Sequence, residues 1–257
     1  MTTTTTPTTA LGQRPPELLD QTVLVIGGSA GIGLETARRA RAEGADVILT
    51  ARNSSRLEPV AHEFGALKSA AFDATDVAQL DQFFADLPRP IDHVLVTAGE
   101  PHYESLADMD FARAARFLDQ HLMLPLHVAR NAVGTVRPGG SLLFVGGTGA
   151  RRPAIGLTLG SAVTVGKPAL VSSLALEVAP IRVNLIAAGF VDTPLSASIL
   201  GDQLDARRAE LRDTLPIGRV VGPEDVAALA VHLMSNTALT GATYDIDGGQ
   251  QLLPRGV

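Results

Sequence analysis

The chain has 257 residues, of which 46% are hydrophobic, and it contains 25 glycines and 16 prolines. This composition is typical of a globular protein with many tight turns. The net charge of -6 argues against nucleic acid or an anionic membrane as partner, so we expect a small-molecule substrate. No cysteine is present and the six histidines show no ligand spacing, so we expect no disulfide, no thiolate chemistry and no metal.

The first 16 residues, MTTTTTPTTALGQRPP, are rich in Thr and Pro. Such a segment buries too little apolar surface to offset the entropy lost on ordering. We therefore predict a flexible tail over 1–16 and one domain over 17–257. The tail lacks the charged and apolar regions of a secretory signal, and no later apolar run is predicted to reach membrane-spanning length. A cytoplasmic location is expected.

From residue 21, short β-branched runs alternate with segments of helical periodicity. This alternation is typical of a parallel sheet whose strands are joined by crossover helices. The predicted strands are 22–28, 45–50, 68–73, 91–99, 141–147, 181–189 and one in ATYDIDGG. The predicted helices are 34–44, 55–65, 77–87, 109–136 with a kink at Pro125, 157–179 and 223–235. The fold class is thus predicted to be α/β, a doubly wound parallel sheet with helices on both faces.

A glycine-rich turn, GGSAGIG (27–33), joins the first predicted strand to the first helix. Glycine allows the backbone to turn sharply and to approach a pyrophosphate closely, and the free amides of a helix N-terminus attract its negative charge. The turn therefore predicts a dinucleotide site, with a tight turn that binds nothing as the alternative.

Further motifs follow in order: DATD (73–76), TAG (97–99) and IRVNLIAAGFVDTP (181–194). Together with the turn they resemble the short-chain dehydrogenase/reductase family, whose fold is Rossmann-like, and the resemblance spans residues 21 to 253. It implies an oxidoreductase that forms a homodimer or homotetramer. It also implies a cofactor bound by Gly27, Ser29, Ile32, Asp73, Ala74, Ala98, Gly99, Lys167, Gly189 and Thr193.

The end of the second strand, TARNS, bears on the choice of cofactor. An acidic residue there accepts hydrogen bonds from the ribose of NAD, whereas a cation pairs with the 2'-phosphate of NADP. The segment has no carboxylate, and Arg52 and Ser54 are suited to hold the phosphate. NADP is therefore favoured over NAD; a solvated Arg52 is the alternative, but it leaves the missing acid unexplained.

The family's catalytic groups are largely replaced. Lys167 matches the family's lysine, but the tyrosine position four residues upstream is Val163. The serine position is Gly147, with Thr148 the only nearby hydroxyl, and the asparagine position is His121. We predict that Gly147, Thr148 and Val163 line the substrate pocket. Because valine cannot donate a proton, the usual general-acid step is absent.

Three explanations remain open. In the first, His121 or Tyr103 donates the proton; the alternatives are a His121 satisfied by a neighbouring carbonyl and a Tyr103 at the pocket rim. In the second, the substrate is an iminium, whose reduction yields a neutral amine without an acid. In the third, the chain binds NADP without catalysis, as a sensor or an assembly subunit.

Lys167 could also be a surface lysine, displaced by a kink at Pro168. The favoured hypothesis is an NADP(H)-dependent oxidoreductase that reduces C=N or C=O bonds without the tyrosine.

Overall fold

The structure is a computed structural model that describes residues 15–88 and 90–253. All but the last two positions of the predicted tail, 1–16, lie outside the described residues. Within the described part, seven strands form one parallel sheet in the order β3-β2-β1-β4-β5-β6-β7. The strands are β1 Thr22–Ile26, β2 Asp46–Ala51, β3 Lys68–Ala71, β4 Ile91–Val96, β5 Val136–Gly147, β6 Arg182–Ala188 and β7 Thr243–Ile246.

The helices are α1 Gly31–Ala42, α2 Ser54–Phe64, α3 Val77–Ala85, α4 Phe111–Leu118, α5 Leu124–Ala132, α6 Thr158–Glu177, α7 Pro194–Leu200, α8 Leu204–Thr214 and α9 Pro223–Ser235. A π-helical segment, Asp119–Met123, joins α4 to α5. The helix predicted over 109–136 is therefore interrupted by this π-helical segment, just before the kink predicted at Pro125. Pro125 is the second residue of α5, where proline is tolerated because that amide has no partner within the helix.

Each face of the sheet is covered by its own set of helices. Leu24 and Ile26 pack with side chains of α3, α5 and α6, whereas Val23 and Val25 pack with those of α1, α2 and α9. Successive side chains of a strand point to opposite faces, so a strand that is covered on both must be apolar throughout. This explains the continuous apolar runs and confirms the predicted doubly wound α/β fold.

Helix α6 is apolar enough, over 20 residues with a mean hydropathy of 1.3, to meet the length and composition criteria of a membrane span. The prediction that no segment reaches that length is therefore wrong for this helix. Val171 and Leu174 of α6 pack in the core against the sheet, and Lys167 is buried. We interpret α6 as a helix that packs on the sheet through one face, because Val171 and Leu174 are buried whereas Val165 and Leu176 are exposed.

The direction of the chain reverses next to β1. After β1 the chain moves outward through β2 and β3, and it then returns to place β4 on the other side of β1. The crossovers on the two sides leave in opposite directions, so a crevice opens at the carboxyl ends of β1 and β4. The glycine-rich turn follows β1 and therefore lies in this crevice.

One buried cation fixes the far end of the sheet. Arg182, at the start of β6, is 5% exposed. Its guanidinium donates five hydrogen bonds to backbone carbonyls, those of Gly139, Leu233, Met234, Asn236 and Leu239. These bonds tie the end of α9 and the loop after it to the sheet.

Replacing this guanidinium should destabilise the fold. Arg182→Leu leaves several enclosed carbonyls without a donor, and we expect the free energy of unfolding in urea to fall by about 3 kcal/mol or more. Arg212→Leu, at an exposed position of α8 without an ion pair among the described residues, is the matched control and should change little. Equal stability of the two variants would contradict the structural role of Arg182.

Candidate active site

The glycine-rich turn permits approaches that no side chain would allow. Gly27 has a φ of 100° and Gly31 a φ of 55°, in the left-handed region that favours glycine. A Cβ on Gly27 would lie 2.4 Å from Thr97 Oγ1, and one on Gly33 would lie 2.2 Å from Gly27 O. The hydroxyl of Thr97 donates to Gly27 O at 3.2 Å and so ties the end of β4 to the turn.

The turn also leaves hydrogen-bond donors free. Helix α1 has no side-chain cap, and the amides of Ile32 and Gly33 donate to no acceptor among the described residues. Free amides at a helix N-terminus, together with the helix dipole, attract a phosphate. The residues present therefore fit the pyrophosphate of a dinucleotide.

A cavity of about 790 Å³ begins at this turn and extends across the carboxyl ends of β4, β5 and β6. It brings together two groups of the predicted residues. From the predicted cofactor set its wall includes Gly27, Ile32, Ala98, Gly99, Gly189 and Thr193. From the predicted chemical set it includes Tyr103, His121, Gly147, Val163 and Lys167.

The remaining predicted cofactor residues lie outside the cavity wall, namely Ser29, Arg52, Ser54, Asp73 and Ala74. They lie in the glycine turn and at or after the ends of β2 and β3, on the side of β1 away from the cavity. Asp73 accepts hydrogen bonds from the amide and hydroxyl of Thr75. Arg52 forms an ion pair with Glu100, in which Nη2 lies 2.6 Å from Oε1. Arg52 is thus exposed but paired.

Lys167 is 4% exposed, so the alternative of a surface lysine is wrong. Helix α6 continues through Pro168, and the lysine points into the cavity wall, where its Nζ donates to Val145 O at 2.8 Å. Burial lowers its pKa to about 8 because the charged ammonium is removed from water. At neutral pH the ammonium still carries its proton in most molecules.

Val163, Gly147 and Thr148, the positions predicted to replace the family's hydroxyl groups, differ in what surrounds them. Val163 is 5% exposed and presents an apolar wall one helical turn before Lys167. A Cβ on Gly147 would meet no atom closer than 3.9 Å, so this site is open. The predicted pocket role of Thr148 needs correction, because its side chain is fully buried outside the cavity wall and donates towards Ala188 O at 3.4 Å.

His121 lies in the π-helical segment, where its ring packs over Gly99 and 4.5 Å from the ring of Phe117. Its Nε2 is 3.0 Å from Glu100 O, so this nitrogen carries the proton and donates. Burial, and then the charge of Lys167, lower the pKa of His121 to about 4. The ring is therefore neutral at pH 7. The prediction that His121 donates the proton is disfavoured, and the alternative of a histidine satisfied by a carbonyl matches this geometry.

Tyr103 is 64% exposed and lies at the cavity rim. Its neighbour His102 was not identified from the sequence, although it belongs to the same EPHYESL loop. His102 is 5% exposed and lines the cavity, and its Nε2 lies 3.3 Å from Oε2 of Glu104. Its burial depends on contacts of the loop with Phe117 and with the segment before α6, so no local pattern in the sequence indicated it.

Helices α7 and α8 cover the open side of the cavity. Leu195 and Ile199 of α7 line it, as does Arg207 of α8, whose guanidinium lies 6.0 Å from the ring centroid of Phe190. Arg207 also forms an ion pair with Glu210 at 2.7 Å. The cover is thus apolar towards the cavity and charged at its edge.

Comparison with known proteins agrees with this geometry. The family model described as enoyl-(acyl carrier protein) reductase matches residues 27–251. The 3-oxoacyl-[acyl-carrier-protein] reductase FabG of Chlamydia pneumoniae is 31% identical over 245 residues, which cover 90% of this chain and 97% of that protein. The chain belongs to the short-chain dehydrogenase/reductase family, which confirms the predicted resemblance.

Two solved structures are also similar. The MalC reductase/Diels-Alderase from Malbranchea aurantiaca has a TM-score of 0.84 and 26% identity, over 93% of this chain and 99% of that one. A small-chain dehydrogenase in complex with NADPH has a TM-score of 0.77 and 25% identity, over 91% of this chain and 99% of that one. Nearly the whole described chain therefore shares the fold of these proteins.

Gly33→Ala tests the close approach in the turn. The added Cβ would collide with Gly27 O, and we expect the dissociation constant for NADPH, measured by fluorescence titration, to rise about tenfold or more. Gly166→Ala in α6 is the matched control, since no atom lies within 4 Å of its Cβ position. The control should bind normally and gain up to about 1 kcal/mol in stability, because alanine favours the helix. Unchanged NADPH affinity in Gly33→Ala would contradict a cofactor role for the turn.

Proposed function

We propose that the protein is an NADP(H)-dependent oxidoreductase that reduces a C=N or C=O bond of a small organic substrate without the family's tyrosine. The observation that carries the proposal is the cavity itself. The cavity extends from the glycine-rich turn, which fits a dinucleotide, to the buried Lys167. Its wall includes an apolar side chain, Val163, at the position of the family's proton-donating tyrosine.

NADP would be held in two parts. The turn from Gly27 to Gly33 would hold the pyrophosphate, and Asp73 and Ala74 would contact the adenine. Ala98, Gly99, Gly189 and Thr193 would lie along the cofactor towards the cavity. When bound, the cofactor supplies the hydride. A neighbour of known structure contains NADPH, which supports a nicotinamide dinucleotide in this fold.

The preference for NADP over NAD is supported by the charge at the end of β2. Arg52 is exposed, and no carboxylate lies in the adjoining TARNS segment. A 2'-phosphate would have to compete with Glu100 for this guanidinium. Surface ion pairs contribute only about 0 to 1 kcal/mol, so a doubly charged phosphate can displace the carboxylate.

The chain's own residues would position the reaction. The Lys167 ammonium can donate to the ribose hydroxyls of the cofactor from its place beside Val145 O. Val163 and the apolar side of α7 exclude water from the substrate. His121, neutral and fixed to Glu100 O, keeps a second positive charge away from Lys167.

An iminium substrate suits this environment because its carbon already carries positive charge and needs no acid during hydride transfer. A ketone needs a proton on its oxygen. A neutral imine needs one on its nitrogen. The site thus favours reduction of a C=N bond that is already protonated or alkylated, as an iminium ion, when it binds.

A second candidate function is NADP binding without catalysis, as a sensor or an assembly subunit. The observation in its favour is that Gly147 and Val163 leave no hydroxyl at the family's serine and tyrosine positions. Cofactor binding without turnover would support it.

We also propose that the protein forms a homodimer or homotetramer. Exposed apolar side chains on α4, the following π-helical segment and α6 support this, since Phe111 is 74% exposed, Met123 44% and Val165 67%. Apolar side chains clustered on adjacent helices are typical of an interface with another protein surface.

Turnover should depend on the charge of the substrate. The assay follows NADPH oxidation at the nicotinamide absorbance. The substrate panel pairs each ketone with its cyclic imine, and we expect faster turnover of the imines. Lys167→Ala should lower kcat/KM by about tenfold or more because a ribose contact is lost. Lys68→Ala, at the other lysine of the chain, is the control. NADPH binding without turnover across the panel would contradict the enzyme function.

Cofactor choice should depend on the pair at the end of β2. Arg52→Ala should weaken NADPH binding about tenfold and leave NADH binding within about twofold. Glu100→Gln should tighten NADPH binding by up to about fivefold, because the competing carboxylate is gone. Arg56→Ala, at an exposed arginine of α2, is the matched control. Equal effects of Arg52→Ala on both cofactors, measured by fluorescence titration, would contradict the phosphate role.

A further inference from the structure

We propose that His102 and Glu104 form the acid pair of this site, in which His102 donates a proton to the heteroatom of the substrate's C=N or C=O bond. This inference rests on the proposed reductase function. It assigns to the loop after β4 the role that Val163 cannot perform.

The loop places His102 in the cavity wall and holds it there. The Glu104 amide donates to Gly156 O at 3.1 Å, which ties the loop to the segment before α6. A Cβ on Gly160 would lie 3.9 Å from His102 O, so the histidine backbone lies against α6 one turn before Val163. His102 and Val163 both line the cavity.

The two ring nitrogens of His102 have different surroundings. Nε2 is enclosed and lies 3.3 Å from Glu104 Oε2, but the ring is not aligned for a hydrogen bond, so Nε2 has no hydrogen-bond partner among the described residues. Nδ1 also makes no hydrogen bond to a described residue. Unlike Nε2, it is not fully enclosed by protein atoms. One nitrogen thus faces a carboxylate while the other is available to a ligand. A carboxylate beside one ring nitrogen can orient an imidazole, as in other catalytic histidines.

Glu104 is itself fixed. Its Oε1 accepts from Arg113 Nη1 at 2.8 Å, its Oε2 accepts from the amide of Asp110 at 2.9 Å, and its side chain is 15% exposed. The carboxylate therefore cannot turn away from His102 without losing both bonds. An enclosed carboxylate with a fixed orientation is suited to position an imidazole.

The other groups near His102 do not replace it. From α4, the ring of Phe117 packs 5.6 Å from the imidazole and separates it from His121. His121 is neutral and engaged with Glu100 O, and Tyr103 is exposed at the rim. Gly160 of α6, whose Cβ position lies 3.9 Å from His102 O, carries no charge. Glu104 and, through it, Arg113 are the charged groups in this contact network.

The step balances as follows. A reduced nicotinamide cofactor held at the glycine turn would supply hydride to the substrate carbon, and the electron pair of the C=O or C=N bond would move to the heteroatom. The Nδ1–H bond of His102 breaks, and its proton forms the new O–H or N–H bond. The imidazolium becomes a neutral imidazole, which regains a proton from water at the cavity mouth. Alcohol or amine is the product.

Three matched substrates separate this role from others: a cyclic ketone, the corresponding neutral imine and its N-methyl iminium salt. The iminium salt needs no proton. We expect His102→Gln to lower kcat about 100-fold or more for the ketone and the imine. Turnover of the iminium salt should stay within about threefold of the wild-type value, as should the NADPH dissociation constant. His62→Gln, at an exposed position of α2, is the matched control and should change nothing.

Other results would overturn the proposal. A similar loss on all three substrates would mean that His102 only supports the shape of the cavity, and full activity on all three would mean that the acid lies elsewhere. If the wild type binds NADPH but reduces none of the three, the proposed function fails and the donor role fails with it.

A readout that does not require turnover tests the pair directly. In nitrogen-15 spectra, the signals lost in His102→Gln assign the ring. Product alcohol should shift the Nδ1 signal of His102, whereas Glu104→Gln should shift the Nε2 signal. Absence of the Nδ1 shift in an active enzyme would overturn the donor role while leaving the reductase function intact.

Discussion

The structure depends on the close packing of the glycine-rich turn after β1 against the end of β4. Position 33 has no room for a Cβ because Gly27 O would lie 2.2 Å away, and position 27 is crowded by the hydroxyl of Thr97. This contact draws the start of α1 onto the end of β4. It keeps the free amides of the helix at the point where the strand order reverses. The cavity begins at the same point of the sheet.

Glu100 connects the two halves of the site. Its side chain forms an ion pair with Arg52 at the end of β2. Its carbonyl accepts a hydrogen bond from His121 in the cavity wall, and its amide donates one to Gln120. These three bonds fix the start of the loop that carries His102. The Arg52 guanidinium and the His121 ring in the cavity wall are therefore both held by atoms of one residue.

Burial sets the charges of the basic side chains Lys167 and His121 in the cavity wall. Desolvation lowers the pKa of both Lys167 and His121, and the charge of Lys167 lowers that of His121 further. Two adjacent cations in an apolar cavity would be costly, so the lysine retains its proton and the histidine remains neutral. Glu104 lies 3.3 Å from the imidazole of His102 but is not itself among the residues that line the cavity.

The sequence by itself determined the sheet, the helices on both faces and the glycine turn, because these depend on local periodicity and on residues with unusual backbone freedom. It also predicted, from the spacing to Lys167, that Val163 stands where the family has its tyrosine. Only the tertiary structure decided which side chains meet. Thr148 turned away from the cavity, His121 engaged a carbonyl, and His102 became enclosed beside Glu104. These outcomes depend on contacts between distant segments, which no local pattern records. The burial of Lys167 despite Pro168 has the same origin, because packing of α6 against the sheet keeps the helix continuous through the proline.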